Sequence, residues 1–128
     1  MKMDNQTTIN AAALILKDPV ITSVTITAGG TDSTILDKSH FKDIAIFLPA
    51  NWVTSVITLK GCATIDGTFN PIVFSDVSAV TIASVAASKV VVLSDLAKDA
   101  IAAVPFIQLV STQAQITTDK VITIVLKR

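Results

Sequence analysis

Glutamate and tyrosine are absent from this chain of 128 residues, and its ten acids are all aspartates. Ten lysines and arginines balance them, so the formal net charge at pH 7 is zero. That balance argues against a nucleic-acid groove and against a polybasic membrane patch, since both need a positive field. Cysteine occurs once, at Cys62, so no internal disulfide forms and nothing marks an oxidising compartment. Histidine also occurs once, at His40. Zinc needs three or four ligands at recognisable spacing, so no metal is expected. Two of the four glycines adjoin, at Gly29-Gly30, but no phosphate-cradling glycine pattern surrounds them and no helix is expected to follow. No apolar run approaches the roughly 20 residues that span a bilayer. The N-terminal run, Ala11 to Leu16, stops at Lys17-Asp18 without a small-residue cleavage pattern. The protein is therefore expected to be made in the cytoplasm and to remain there unless released with a larger particle.

What the chain does have is β-branched mass: Val, Ile and Thr together number 47. These side chains are stiff at χ1 and suit a pleated surface. The chain is 51% hydrophobic and 16% charged, where soluble domains average about a quarter charged. A small lone domain has too much surface to hide that apolar excess, so part of it is expected to face a neighbouring subunit.

Residues 1–18 read as a polar N-terminal arm. Asn10 either caps a short helix through Leu16 or begins an extended segment. Residues 19–128 read as one β-sandwich domain. Val20 to Ala28 alternates as a half-buried strand, and Gly29-Gly30 turns it. Ile44, Ile46 and Leu48 alternate with Ala45 and Phe47, and Pro49-Ala50-Asn51 breaks that strand before Trp52. A long strand from about Val56 to Ile65 meets Asp66-Gly67, a hairpin signal, and Phe69 to Phe74 returns. These three strands read as a meander around a buried aromatic cluster. Val80 to Ser84 is a strand. Lys89 to Leu93 is a continuous valine run, as for a strand buried on both sides. Ser94 caps an alanine-rich helical turn or two through Ile101. Phe106 to Thr112 is a strand, Ser111 to Thr118 a polar connection, and Val121 to Leu126 a last strand with two apolar faces, hence central or covered. About eight strands at intervals of roughly a dozen residues read as an all-β antiparallel sandwich, jelly-roll-like, with one short helix. An immunoglobulin-like sandwich fits the spacing too, but its paired Cys and Trp are absent.

No set of residues carries a reaction signature. Asp37, His40 and Asp43 share a polar stretch before a strand, which explains them without acid–base work. Asp66-Gly67 lacks the alternate carboxylates and closing Glu of a calcium loop. Asp95 and Asp99, four apart on one helical face, have no neighbour that would tune a pKa. Cys62 reads as a buried thiol. Trp52 reads as a core or interface anchor, and a sugar-stacking platform is the alternative. The expectation is no catalytic, cofactor-binding or metal residue, no cofactor, and no enzyme.

From about Ile44 onward the order of motifs resembles small tailed-phage virion proteins of the head-decoration, or capsid-cement, type. Leu48-Pro49-Ala50-Asn51-Trp52 with Ser55 to Leu59 is similar to the family's proline-and-tryptophan turn into a long strand. Ile65-Asp66-Gly67-Thr68-Phe69-Asn70-Pro71-Ile72 is similar to its Asp-Gly hairpin followed by an aromatic. Val80-Thr81-Ile82, then Ala86 to Leu93, resembles its valine-rich strand after an alanine connection. Phe106 to Ser111 and Lys120 to Lys127 resemble the closing strand pair. Residues 1–35 show no correspondence. The resemblance implies a bacteriophage structural protein that binds the major capsid protein and itself, as a homotrimer or homodimer, on the outer capsid surface of the virion. It implies no nucleic-acid and no membrane partner. A carbohydrate-binding β-sandwich module of a phage tail or secreted protein is the alternative.

Overall fold

The computed structural model describes residues 19–128. The expected arm, residues 1–18, and the helix-or-strand alternative from Asn10 lie outside the described residues. Ten strands and one helix follow: β1 (Val20–Ile26), β2 (Gly30–Asp32), β3 (Leu36–Asp37), β4 (Asp43–Phe47), β5 (Ser55–Cys62), β6 (Asn70–Pro71), β7 (Thr81–Val85), β8 (Val90–Val92), α1 (Asp95–Ile101), β9 (Phe106–Gln115) and β10 (Lys120–Lys127).

Every strand pair is antiparallel. One sheet runs β1-β10-β4-β8 and the other β2-β9-β5-β6, with β3 also on β9 and β7 also on β5. Strands β2 and β3 count as one interrupted strand on β9, and β6 and β7 as another on β5. Eight strands remain. The first pairs with the last, the second with the seventh, the third with the sixth, and the fourth with the fifth. That nesting is a jelly roll, as expected from the sequence. Both sheets contribute inward side chains to one core. Ile44, Ile46, Ile122, Ile124 and Leu126 come from the first sheet, and Ile57, Leu59, Ile107 and Leu109 from the second, all almost wholly buried. Each such side chain contributes about 1.5–3 kcal/mol. The last strand, β10, is central, between β1 and β4, as its two apolar faces predict.

Four local expectations are corrected. The stretch from Asp43 to Phe74 is no meander: β4 pairs with β10 and β8, whereas β5 pairs with β9, β6 and β7 across the sandwich. Its aromatics form no buried cluster. Trp52 is buried, but alternation puts Ile44 and Ile46 inward and therefore Phe47 outward, at 39% exposure. The valine run β8 is an edge strand with Val90 and Val92 exposed, because only β4 flanks it. Strand β9 continues to Gln115 through the expected polar connection, because Gly30 and Asp32 pair along it past a bulge.

Turn chemistry follows the sequence. Gly29 takes φ +82, which glycine alone adopts without penalty, and the Gly30 N–H donates to Thr27 O. The Asp-Gly hairpin is wider than a two-residue turn. Strand β5 ends at Cys62, the Gly67 N–H donates to Thr64 O, and a Cβ on Gly67 would crowd Cys62 Sγ and Thr64 Oγ1. Close approach of two side chains, rather than positive φ, favours glycine there. Ser94 Oγ accepts from the Ala97 N–H and caps α1.

Two lysines are buried. Lys38 Nζ donates to Ile101 O (2.9 Å) and Val104 O (2.8 Å), closing the carbonyl end of α1. Lys120 Nζ donates to Ile116 O (2.9 Å) and Thr118 Oγ1 (3.2 Å), tying the β9–β10 turn. Gln115 is fully buried. Its amide accepts from the Val53 N–H (2.8 Å) and donates to Val53 O (2.9 Å), a side-chain copy of a strand pairing.

Candidate functional site

The register of the first sheet decides which side chains face away from the core. Ile21 on β1 sits beside Val125 on β10, Val125 beside Ala45 on β4, and Ala45 beside Val92 on β8. This outward row crosses all four strands and holds only aliphatic side chains. The next row is Ser23, Thr123, Phe47 and Val90, and the third is Thr25 and Val121. Ile21 (71%), Val92 (73%), Val90 (55%) and Val121 (53%) are more than half exposed. None of these ten positions carries a charge. An exposed area of this kind, unlike scattered single residues, makes this face the candidate interaction surface.

Charge gathers at one end of the face. There Lys127 pairs in register with Asp43, and Lys98 of α1 donates to Asp43 Oδ1 at 3.0 Å. The Asp43 hydrogen bond raises the Lys98 pKa, with the Coulombic attraction of Asp43 next. A shallow depression of about 250 Å³ lies beside this group, lined by Pro19, Ala45, Val92 and Val125.

The outward side of the second sheet differs. Thr58 sits beside Val110, and Val110 beside Asp32; Lys60 sits beside Gln108. Lys60 Nζ reaches Asp32 Oδ2 at 2.8 Å and lowers the Asp32 pKa, mainly through that hydrogen bond. The outward positions of the second sheet thus include an ion pair and an amide, whereas the ten of the first sheet carry no charge.

Of the residues singled out in the sequence, Asp43 and Asp95 meet at Lys98, and the others are not brought together. His40 lies exposed in a turn. The Asp37 carboxylate accepts from the Ser39 hydroxyl and N–H, which lower its pKa, and the Asp43 carboxylate faces Lys98. Asp66 is exposed in the β5–β6 loop. Asp95 reaches Lys98 at 3.4 Å, and Asp99 is exposed on α1. Trp52 is 5% exposed and its Nε1–H donates to Val85 O at 3.2 Å, so it anchors the core and offers no stacking platform. Cys62 is half-buried rather than buried. It ends β5 beside a groove of about 420 Å³ with Ile72 and Val104. Among the described residues no group of three or more His, Cys, Asp or Glu side chains is placed to hold a metal ion. No described helix is long and apolar enough to cross a membrane. Sequence reading missed the outward positions of the first sheet. Periodicity sorts the two faces of one strand, but only pairing register aligns outward positions into rows across four.

No family model matches the chain, and no curated protein matches it in sequence. Among solved structures, the crystal structure of the SPBc2 prophage-derived protein YomS is similar, with a TM-score of 0.51 and 14% identity, covering 87% of this chain and 96% of that one. At that identity the likeness shows the fold alone.

Proposed function

We propose that this chain is a non-enzymatic structural protein of a tailed-phage particle, a head-decoration protein that binds the major capsid protein on the outer shell as a homo-oligomer. The observation that carries the reading is the uncharged aliphatic face of the first sheet, spanning four strands and left open to solvent. A surface of that composition suits contact with protein, not with nucleic acid or lipid headgroups, which select for basic side chains. A shell presents many identical sites, so modest contacts add through multivalency. The similar fold of a prophage-derived protein supports a phage setting, and so do the motifs from Leu48 to Lys127.

The test is a mass-spectrometric census of purified particles from the source, with copy number per shell, together with co-sedimentation of the chain with emptied capsids. A copy number matching the shell's symmetry and saturable co-sedimentation are the expected results. A chain absent from particles and indifferent to capsids refutes the proposal.

A further inference from the structure

We infer that the outward face of the first sheet is the surface through which two copies of this chain associate, face to face, across a two-fold axis. The inference rests on the assembly reading above and adds which surface is used and what occupies it.

Size comes first. Ile21, Phe47, Val90, Val92 and Val121 alone leave on the order of 500 Å² open, at the upper end of the largest apolar patch on a typical monomer. With Val125, Ala45 and the hydroxyl rows between them, the face approaches the roughly 800 Å² per partner of a stable dimer. Chemistry comes second. A two-fold interface sets a patch against itself, so every charge within it risks meeting its own kind. This face is suited to that: its ten outward positions hold none, and its charged end carries both signs, Asp43 beside Lys98 and Lys127. Shape comes third. Sheets stack face to face at about 10 Å when aliphatic side chains interdigitate, as the two sheets of one protomer already do. The second sheet, with Asp32, Lys60 and Gln108 outward, lacks this character.

The test uses the full chain in sedimentation equilibrium. The wild type is expected at twice its 13.4 kDa or a higher even multiple. Ile21→Lys and Val92→Lys each alter a side chain more than two-thirds exposed, so folding survives, as circular dichroism and an unchanged melting temperature would verify. Each is expected to weaken self-association at least tenfold, about 1.4 kcal/mol, and the pair together to give a monomer. Thr112→Lys, on the exposed side of β9, is expected to leave association unchanged. A wild-type monomer at high micromolar concentration overturns the inference. So does an oligomer that survives the double substitution, and in that case the capsid-binding assay still decides the assembly reading by itself.

Discussion

Replacing Lys38 by Met removes an ammonium from the inside of the protein while keeping an unbranched side chain of similar length. Lys38 is 3% exposed, and its Nζ donates to Ile101 O and Val104 O at 2.9 and 2.8 Å. The Ile101 carbonyl ends α1, where partial negative charge collects, and the Val104 carbonyl lies in the loop just beyond. A hydrogen bond from a charged donor contributes about 1.5–3 kcal/mol, and the field of so short a helix at most about 1. Desolvation of the ammonium opposes these contributions and holds the Lys38 pKa below its ordinary value. Met escapes the desolvation cost but leaves the Val104 carbonyl unpaired and the Ile101 carbonyl with the Val104 N–H alone, so the expected net loss is about 2 kcal/mol. Urea unfolding reads it directly: at a slope of about 2 kcal/mol per molar, the midpoint falls by about 1 M with the slope unchanged. The pH dependence supplies a second reading. Because the folded pKa lies below the unfolded value of about 10.4, the unfolded chain binds more protons between the two, and the Lys38 contribution rises with pH across that window. Lys98 behaves oppositely. Asp43 raises its pKa, so its contribution is lost as pH climbs above the unfolded value and through the folded one. Subtracting Lys38→Met from wild type cancels Lys98, and the difference should widen in the alkaline limb. A Met variant as stable as wild type would refute the reasoning, because desolvation would then outweigh both hydrogen bonds.

Gln115→Leu strips the Val53 N–H and C=O of their partners in a site with no exposure, and should lower stability by about 2–4 kcal/mol, or about 10 °C in melting temperature by calorimetry. Ser94→Ala removes the hydroxyl that accepts from the Ala97 N–H, and should lower stability by about 1 kcal/mol in denaturant titration. Lys60→Met breaks a partly exposed ion pair and should cost under about 1 kcal/mol at pH 7. Asp32 has a depressed folded pKa, so its stabilisation is present above its unfolded value of about 3.9 and is lost as pH falls through the folded one. The wild-type advantage over Lys60→Met should therefore shrink in acid unfolding curves as pH falls below the unfolded value, and vanish once the folded carboxylate is protonated too.

The architecture was legible where one strand's own pattern suffices. Val24 and Ile26 against Thr25, or Ile122, Ile124 and Leu126 against Thr123, announce a strand and its inward face from sequence alone. Ser94 announced its helix through a hydroxyl that only a cap position uses. Properties that depend on a strand's neighbours were not legible. Val90-Val91-Val92 has the composition of a doubly buried strand, yet its exposure depends on a partner being absent from one side. The meander reading of β4 and β5 failed for the same reason: Pro49 to Asn51 turns the chain identically whether the next strand joins the same sheet or the facing one. Lys38 looked like part of a polar loop because its hydrogen-bond acceptors lie more than 60 residues away. The aliphatic face was foreseen only as an excess of apolar residues, since locating it requires the register of four strands at once.

An apolar sheet surface open to water invites two modes of association, and the fold treats them differently. Edge-to-edge pairing extends a sheet without limit, while face-to-face pairing about a two-fold closes on itself. Edge β8 is three residues long, follows Lys89 and gives way at Ser94 to a helix, so it presents little ladder to a neighbour. The other edge, β1, begins after Pro19. Part of its open side is already occupied: the Thr34 N–H donates to Thr25 O, the Thr25 N–H donates to Thr34 Oγ1, and Ile26 bridges Ser33. The backbone groups that would seed open-ended growth are therefore few, whereas the side chains that would seal a closed pair cover the whole sheet. Hydroxyls between the aliphatic positions, Ser23 and Thr25 on β1 and Thr123 on β10, give the open face groups that water satisfies and that in the proposed pair would rotate to meet their symmetry mates. This distribution favours closed over open-ended association, the geometry that the proposed place on a shell of fixed symmetry would require.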